Sequence, residues 1–126
     1  MPNIKVLNDS MKAAEDYSDS ANQFRFVYIS DEREVKMAEN IGDPAYGILQ
    51  NLPETNQAAE VAVMGVSQLA LAGTVTANDK IVCNASGYGV AATTSQTAMA
   101  IARENGASGE QISVFIIPGG DEADHS

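Results

Sequence analysis

The sequence predicts an all-β fold, a small antiparallel barrel or sandwich, and three observations support this. Short segments rich in Val, Ile and aromatic residues are separated by Gly, Asn, Asp and Ser, which favour turns. Several segments alternate polar and apolar side chains, the period of a half-buried strand. The chain has 126 residues, of which 44% are hydrophobic, so it can bury a core without disulfides. We therefore expect one β-domain.

Composition divides the chain into three zones. Residues 1–22 are mainly polar, and we interpret them as an extended N-terminal arm. Residues 23–118 contain the predicted strands and form the β-domain. Residues 119–126 read Gly-Gly-Asp-Glu-Ala-Asp-His-Ser, a composition typical of a solvated acidic tail.

The N-terminal zone carries an apolar cluster ahead of a polar stretch. Asp9 or Ser10 is a suitable cap for one or two helical turns, but so short a helix is marginal without a partner. An apolar cluster that lacks a partner in its own zone indicates a segment that becomes ordered against another surface. The residues expected to contact that surface are Ile4, Val6, Leu7, Met11 and Tyr17.

The body is predicted to begin with a hairpin whose turn lies at residues 30–32. Gly65 separates two later segments, and the final segment changes from alternating to wholly apolar, as expected of a central strand. Strands are expected at residues 24–29, 34–37, 47–49, 60–63, 66–71, 74–76, 80–83, 88–92 and 111–117.

Residues 95–105 admit two interpretations. Propensity alone predicts a helix, because the segment has a suitable cap, good helix formers and a glycine after its end. Residues 45–63, however, resemble residues 98–114, since in both an Ala-rich segment precedes a loop and an alternating segment. We favour the strand, because both regions would then be strand–loop–strand units.

The charge of the chain argues against nucleic acid and membranes as partners. It has 17 acidic and 7 basic side chains, a formal net charge of −10, which repels phosphates and anionic lipids. No apolar run approaches the roughly 20 residues of a membrane span, and no signal peptide is expected. The single cysteine, Cys83, cannot form an internal disulfide, which indicates synthesis in a reducing cytoplasm.

The sequence offers little chemistry for catalysis. The single histidine, His125, lies in the acidic tail, and Cys83 lies in a predicted strand with no histidine in the body to activate it. Asp31, Glu32 and Glu34 are interleaved with basic residues, a pattern that fits a solvated turn better than a calcium loop. We therefore expect no enzyme activity, cofactor or metal.

The order of motifs in the body is informative. The motifs are DPAYGILQ at 43–50, EVAVMGVS at 60–67, AGTVTANDKI at 72–81, SGYGV at 86–90 and AIARENGASGEQISV at 100–114. This order resembles that of the capsid decoration, or cement, proteins of tailed bacteriophages, over about 90 of the 126 residues.

The resemblance implies a compact, β-tulip-like fold and a structural role. It implies a homotrimer that binds the major capsid protein at local three-fold axes, with terminal arms on neighbouring capsid subunits. The protein would be made in the host cytoplasm, lie on the exterior of the virion and stabilise the shell against internal pressure. A protein that binds several capsid subunits at once requires no catalytic group. Each contact after the first is intramolecular, which strengthens the binding.

Two other classes of function compete with this hypothesis. A carbohydrate- or ligand-binding β-module on a virion or cell surface would require an exposed aromatic platform. A small hydrolase or lyase would require a triad or a metal cluster, which the sequence does not provide. The tyrosines available for a platform are Tyr17, Tyr28, Tyr46 and Tyr88.

Overall fold

The computed structural model describes residues 6–39, 45–92 and 97–122; for Val6, Thr97 and residues 118–122 it describes the backbone alone. These residues form nine strands and one 3₁₀ turn, Ser20–Asn22. The all-β prediction is confirmed. The strands are β1 (Val6–Ala13), β2 (Phe26–Asp31), β3 (Glu34–Met37), β4 (Gly47–Leu49), β5 (Ala58–Ala70), β6 (Lys80–Cys83), β7 (Gly89–Ala91), β8 (Thr97–Ala102) and β9 (Gln111–Glu122).

Five strands close into a barrel. Their order is β1-β3-β2-β4-β5, and pairing of β1 with β5 completes the ring. The β1–β3 pair is parallel, whereas the other pairs of the barrel are antiparallel. Alternation along β3 directs Val35 and Met37 inward. The barrel core consists of Ala13, Tyr17, Val27, Val35, Met37, Leu49, Ala59 and Val61, with Met11, Tyr46 and Val63 packed against it.

The remaining strands extend the sheet beyond β5 in the order β9-β8-β6-β7. This extension packs against the outside of the barrel, so adjacent residues on barrel strands serve different cores. Ile48 lies in the second core and Leu49 in the barrel core. The second core consists of Phe26, Ala38, Ala45, Ile48, Ala62, Leu69, Leu71, Val75, Ile81, Cys83, Met99, Ala100, Ala102, Ile112, Val114 and Ile116.

Strand β5 belongs to both parts. Its first half lines the barrel, where Val61 is fully buried, and its second half pairs with β9, where Leu69 is buried in the second core. The sequence predicted two strands separated by Gly65, but the structure has one continuous strand. Gly65 has a φ of 98°, which bends the strand without ending it.

Most other strand predictions are confirmed. The hairpin is formed by β2 and β3, with Arg33 in the left-handed region at its turn. The helical alternative for residues 95–105 is wrong within the described part, because β8 occupies Thr97–Ala102 and pairs with β6 and β9. Ala100 and Ala102 are buried there, so tertiary packing outweighs helix propensity. The predicted strand at 74–76 is reduced to a single bridge, Val75 with Gly106.

The detached arm predicted for residues 1–22 is not what the described part of that segment forms. β1 pairs with β5 from Val6 to Lys12, and the helical turn expected after Asp9 or Ser10 is replaced by this strand. Ala13 and Tyr17 are buried in the barrel core. Composition concealed this role, because a strand needs apolar residues on one face only. Residues 1–5 lie outside the described part.

The first residues of the acidic tail predicted from residue 119 belong to a strand. β9 continues to Glu122 and pairs with β8 through Ala98–Asp121 and Thr97–Glu122. The register shifts between these pairs and the pair Ala100–Ile116, so residues 117–120 lie opposite Met99 alone. Residues 123–126, including His125, lie outside the described part.

Tyr17 provides a test of the role of residues 6–22. Its side chain is 5% exposed, and its hydroxyl accepts a hydrogen bond from the backbone N–H of Met37 at 2.8 Å. We expect Tyr17→Ala to lower the free energy of unfolding by about 3–5 kcal/mol and Tyr17→Phe by about 1–3 kcal/mol. Urea denaturation measures both. A Tyr17→Ala variant as stable as the wild type would show that this segment is not part of the core.

Gly47 and Gly73 form a matched pair for testing the packing of β4 on β5. A Cβ atom at Gly47 would lie 2.3 Å from the carbonyl oxygen of Ala62, whereas one at Gly73 would lie 3.7 Å from its nearest neighbour, Val90. We expect Gly47→Ala to prevent native folding and Gly73→Ala to change stability by less than about 1 kcal/mol. Circular dichroism and thermal melting compare the two. Equal stability of both variants would contradict the close approach of β4 to β5.

Candidate protein-binding surface

Large apolar side chains are exposed at four described positions: Leu7 (54%), Ile29 (49%), Met64 (48%) and Phe115 (47%). Ile29 lies on the β2–β3 hairpin. The other three lie on β1, β5 and β9, which are neighbours in the sheet. With two half-buried residues of the same sheet they form a surface that we call the outer strip, consisting of Leu7, Met64, Val66, Ile101 and Phe115.

The register of the strands places the side chains of the outer strip next to one another. Leu7 is paired with Met64 across β1 and β5. Two residues further along β5, Val66 is paired with Phe115 on β9, and Phe115 is paired with Ile101 on β8. Directly paired side chains in a sheet lie close together on one face. The alternate residues of β9, such as Val114 and Ile116, point into the second core, so Phe115 faces outward.

The residues around the outer strip are mainly uncharged or basic. Gln68 is paired with Ser113 beside the strip, and Lys80 is paired with Ile101 at its far side. Within the described sheet, no member of the outer strip has a carboxylate as its cross-strand partner. The described hydrogen bonds place one carboxylate beside this face, that of Glu104, which accepts from the backbone N–H of Ser113.

A groove of about 400 Å³ continues from the outer strip. At its rim, the Arg103 guanidinium donates a 2.7 Å hydrogen bond to the Ser113 hydroxyl, and the backbone N–H of Ser113 donates to the Glu104 carboxylate at 2.8 Å. These bonds fix the polar border of the apolar surface. The residues lining the groove are Phe24, Gln50, Val66, Ser67, Gln68, Arg103 and Ser113.

Of the contact residues predicted from the sequence, some are exposed in the structure, some are buried and some lie outside the described part. Leu7 is exposed and belongs to the outer strip. Met11 is half-buried and Tyr17 is buried, both in the barrel core, so neither offers a contact surface in this fold. Ile4 lies outside the described part, and of Val6 the structure describes only its backbone, paired with Gly65.

The residues that β5, β8 and β9 contribute to the outer strip are not among the contact residues predicted from the sequence. The pattern at 111–117 predicts a central strand but no exposed face. Alternation within it carried the missing signal, because Ser113 and Phe115 share one face while Ile112, Val114 and Ile116 share the other. Met64 and Val66 lie next to Gly65, where alternation along β5 is interrupted, so their orientation was not predictable.

The candidate catalytic and metal-binding residues are placed as follows. Cys83 is buried in β6. Glu34 accepts a hydrogen bond from Ser30 at 3.0 Å and lies 3.6 Å from the Lys12 ammonium, so its carboxylate is engaged within the hairpin region. Among the described residues, no group of three His, Cys, Asp or Glu side chains is arranged to hold a metal. No helix in residues 6–39, 45–92 or 97–122 is long and apolar enough to cross a membrane.

The four tyrosines do not form an aromatic platform. Tyr17 is buried, and that burial raises the pKa of its hydroxyl. Tyr46 donates a short hydrogen bond to the Asp9 carboxylate, which raises the pKa of Tyr46. Tyr28 donates to Glu39 at 3.0 Å, and the Arg25 guanidinium lies 4.3 Å from the centre of the Tyr88 ring. A carbohydrate site built on these rings is therefore not favoured.

Comparison with known proteins identifies a structural neighbour. No protein-family model matches the chain, and no curated protein matches it. The crystal structure of the N base of the head fiber protein gp8.5 of bacteriophage phi29 superposes with a TM-score of 0.69 at 14% sequence identity. The match covers 93% of this chain and 98% of the phage chain. The two chains therefore share their fold over almost their whole described length.

The raised pKa of Tyr17 predicts a loss of stability in alkali. Because its pKa is higher in the folded state, its contribution is present below the ordinary pKa of about 10 and is lost as pH rises through the folded value. Tyr17→Phe should therefore lose less free energy of unfolding between about pH 9 and pH 11 than the wild type. Urea denaturation across this range measures the two slopes. Equal slopes would contradict the prediction, because they would mean that Tyr17 has the same pKa in the folded and unfolded states.

Proposed function

We propose that this protein is a structural component of a phage virion that binds the outer surface of the head and stabilises the shell. The observation that carries the proposal is the match over 93% of the chain to the base of a phage head fiber. The match spans the barrel and the extension together, so it concerns the whole architecture rather than one common motif. The exposed outer strip adds a surface suited to protein–protein contact.

The physical chemistry of the chain suits this role. Strand pairing on both sides of β5 and β9 gives the surface a rigid support, which lowers the entropy cost of binding. An acidic exterior keeps a concentrated virion protein soluble and away from DNA. Action by contact alone requires no catalytic group, so we propose that the protein is not an enzyme.

The proposed partner is the major capsid protein, bound by a homotrimer at local three-fold axes. Three linked copies can engage several capsid subunits at once, which raises avidity without strengthening any single contact. The N-terminal segment ahead of β1 is the proposed point of attachment, and Ile4 is the predicted contact residue that lies in it. Met11 and Tyr17 no longer belong to this proposal, because the barrel core uses them.

A binding experiment with phage heads tests the proposal. The full chain should bind heads produced by a phage that lacks the gene for it, and should raise the temperature at which those heads open. Deleting residues 2–5 should leave the melting temperature of the protein unchanged but lower its occupancy on the heads, because the deletion removes none of the described β1–β5 pairs, which run from Val6 to Lys12. Deleting residues 123–126 is the matched control and should preserve binding.

Each result has a separate meaning. Failure of the full chain to bind the heads would overturn the proposed function. Binding that is equally strong after deletion of residues 2–5 would retain the function and reject the N-terminal attachment point.

A further inference from the structure

We propose that the outer strip is the surface through which copies of this chain contact one another in the homotrimer. The inference rests on the proposed trimer and adds the surface that forms it. Leu7, Met64 and Phe115 are each about half exposed and lie together on neighbouring strands. Isolated exposed apolar residues are ordinary on protein surfaces, but a contiguous set on rigid strands is typical of an interaction site.

Charge favours a second copy as the occupant. Each copy carries −10, so two copies repel wherever their acidic faces approach within a Debye length of roughly 8–10 Å. The outer strip is bordered by Gln68, Ser113 and Lys80. Like-charged copies therefore meet with less repulsion at this face, where the described cross-strand neighbours carry no carboxylate. Arg103 lies beside the strip, where its guanidinium donates to the Ser113 hydroxyl.

The size of the outer strip also fits such a contact. It extends across β1, β5, β9 and β8, whose spacing of about 4.8 Å gives a width of roughly 15 Å. A standard interface buries about 800 Å² on each partner and has a small apolar centre with a polar rim. The strip supplies the centre, and the groove beside it supplies polar side chains for the rim. A surface of this width fits a trimer in which each copy places its outer strip at the three-fold axis.

Sedimentation of the full chain tests the inference without any capsid. The wild type should associate as protein concentration rises, and more strongly at about 0.5 M salt than at about 0.01 M, because salt screens the repulsion between copies. Met64→Ser and Phe115→Ser should each weaken association by about tenfold or more. Ile29→Ser is the matched control, because Ile29 is 49% exposed and lies on the β2–β3 hairpin. It should associate like the wild type.

Cysteine cross-linking provides a second measurement that does not depend on losing a contact. Phe115→Cys should form disulfide-linked dimers under mild oxidation, and Ile29→Cys should not. The native Cys83 is buried and should remain unlinked in both variants. Thermal melting of each variant verifies that the fold is intact.

The outcomes separate this inference from the proposed function. A wild type that stays monomeric at all concentrations and salt levels would overturn the inference, as would strip variants that associate like the wild type. If the strip variants associate normally but fail to bind phage heads, the strip faces the shell and the proposed function stands. If the strip variants lose association while the wild type binds phage heads, both the inference and the proposed function are supported.

Discussion

The structure depends on one strand, β5, which two cores share. Its first half completes the barrel against β1 and β4, and its second half carries the extension through β9. Adjacent residues Val61 and Ala62 are both fully buried, one in each core. The bend at Gly65 lets one strand serve both, because only glycine adopts a φ of 98° without strain. Separating the cores would expose the faces of β2, β4 and β5 that carry Phe26, Ile48 and Ala62.

This shared strand determines where the outer strip lies. Beyond the bend, the inner faces of β5, β8 and β9 cover the barrel, so their outer faces are directed away from it. Phe115 is exposed because Val114 and Ile116 are buried. The described cross-strand partners of the outer strip carry no carboxylate, which leaves an apolar surface on a chain with a net charge of −10. The function we propose uses that surface for contacts between copies and the remainder for contact with a shell.

Local patterns in the sequence predicted the strands well and their partners poorly. The hairpin of β2 and β3 followed from alternation around a turn, and β8 followed from an internal similarity that outweighed helix propensity. β1 was not predicted, because its burial depends on pairing with β5, from Lys12–Ala58 to Val6–Gly65, between residues far apart in the chain. The outer strip was missed for the same reason, since it exists only once β1, β5, β8 and β9 lie side by side. Long-range pairing of this kind leaves little trace in local composition.

An electron-microscopy difference map of phage heads with and without this protein tests whether it binds the shell as a trimer joined through the outer strip. We expect added density on the outer surface at local three-fold axes, with three copies arranged so that Phe115 and Met64 face the axis. Single copies at other positions, or density in which the outer strip faces solvent, would contradict this expectation.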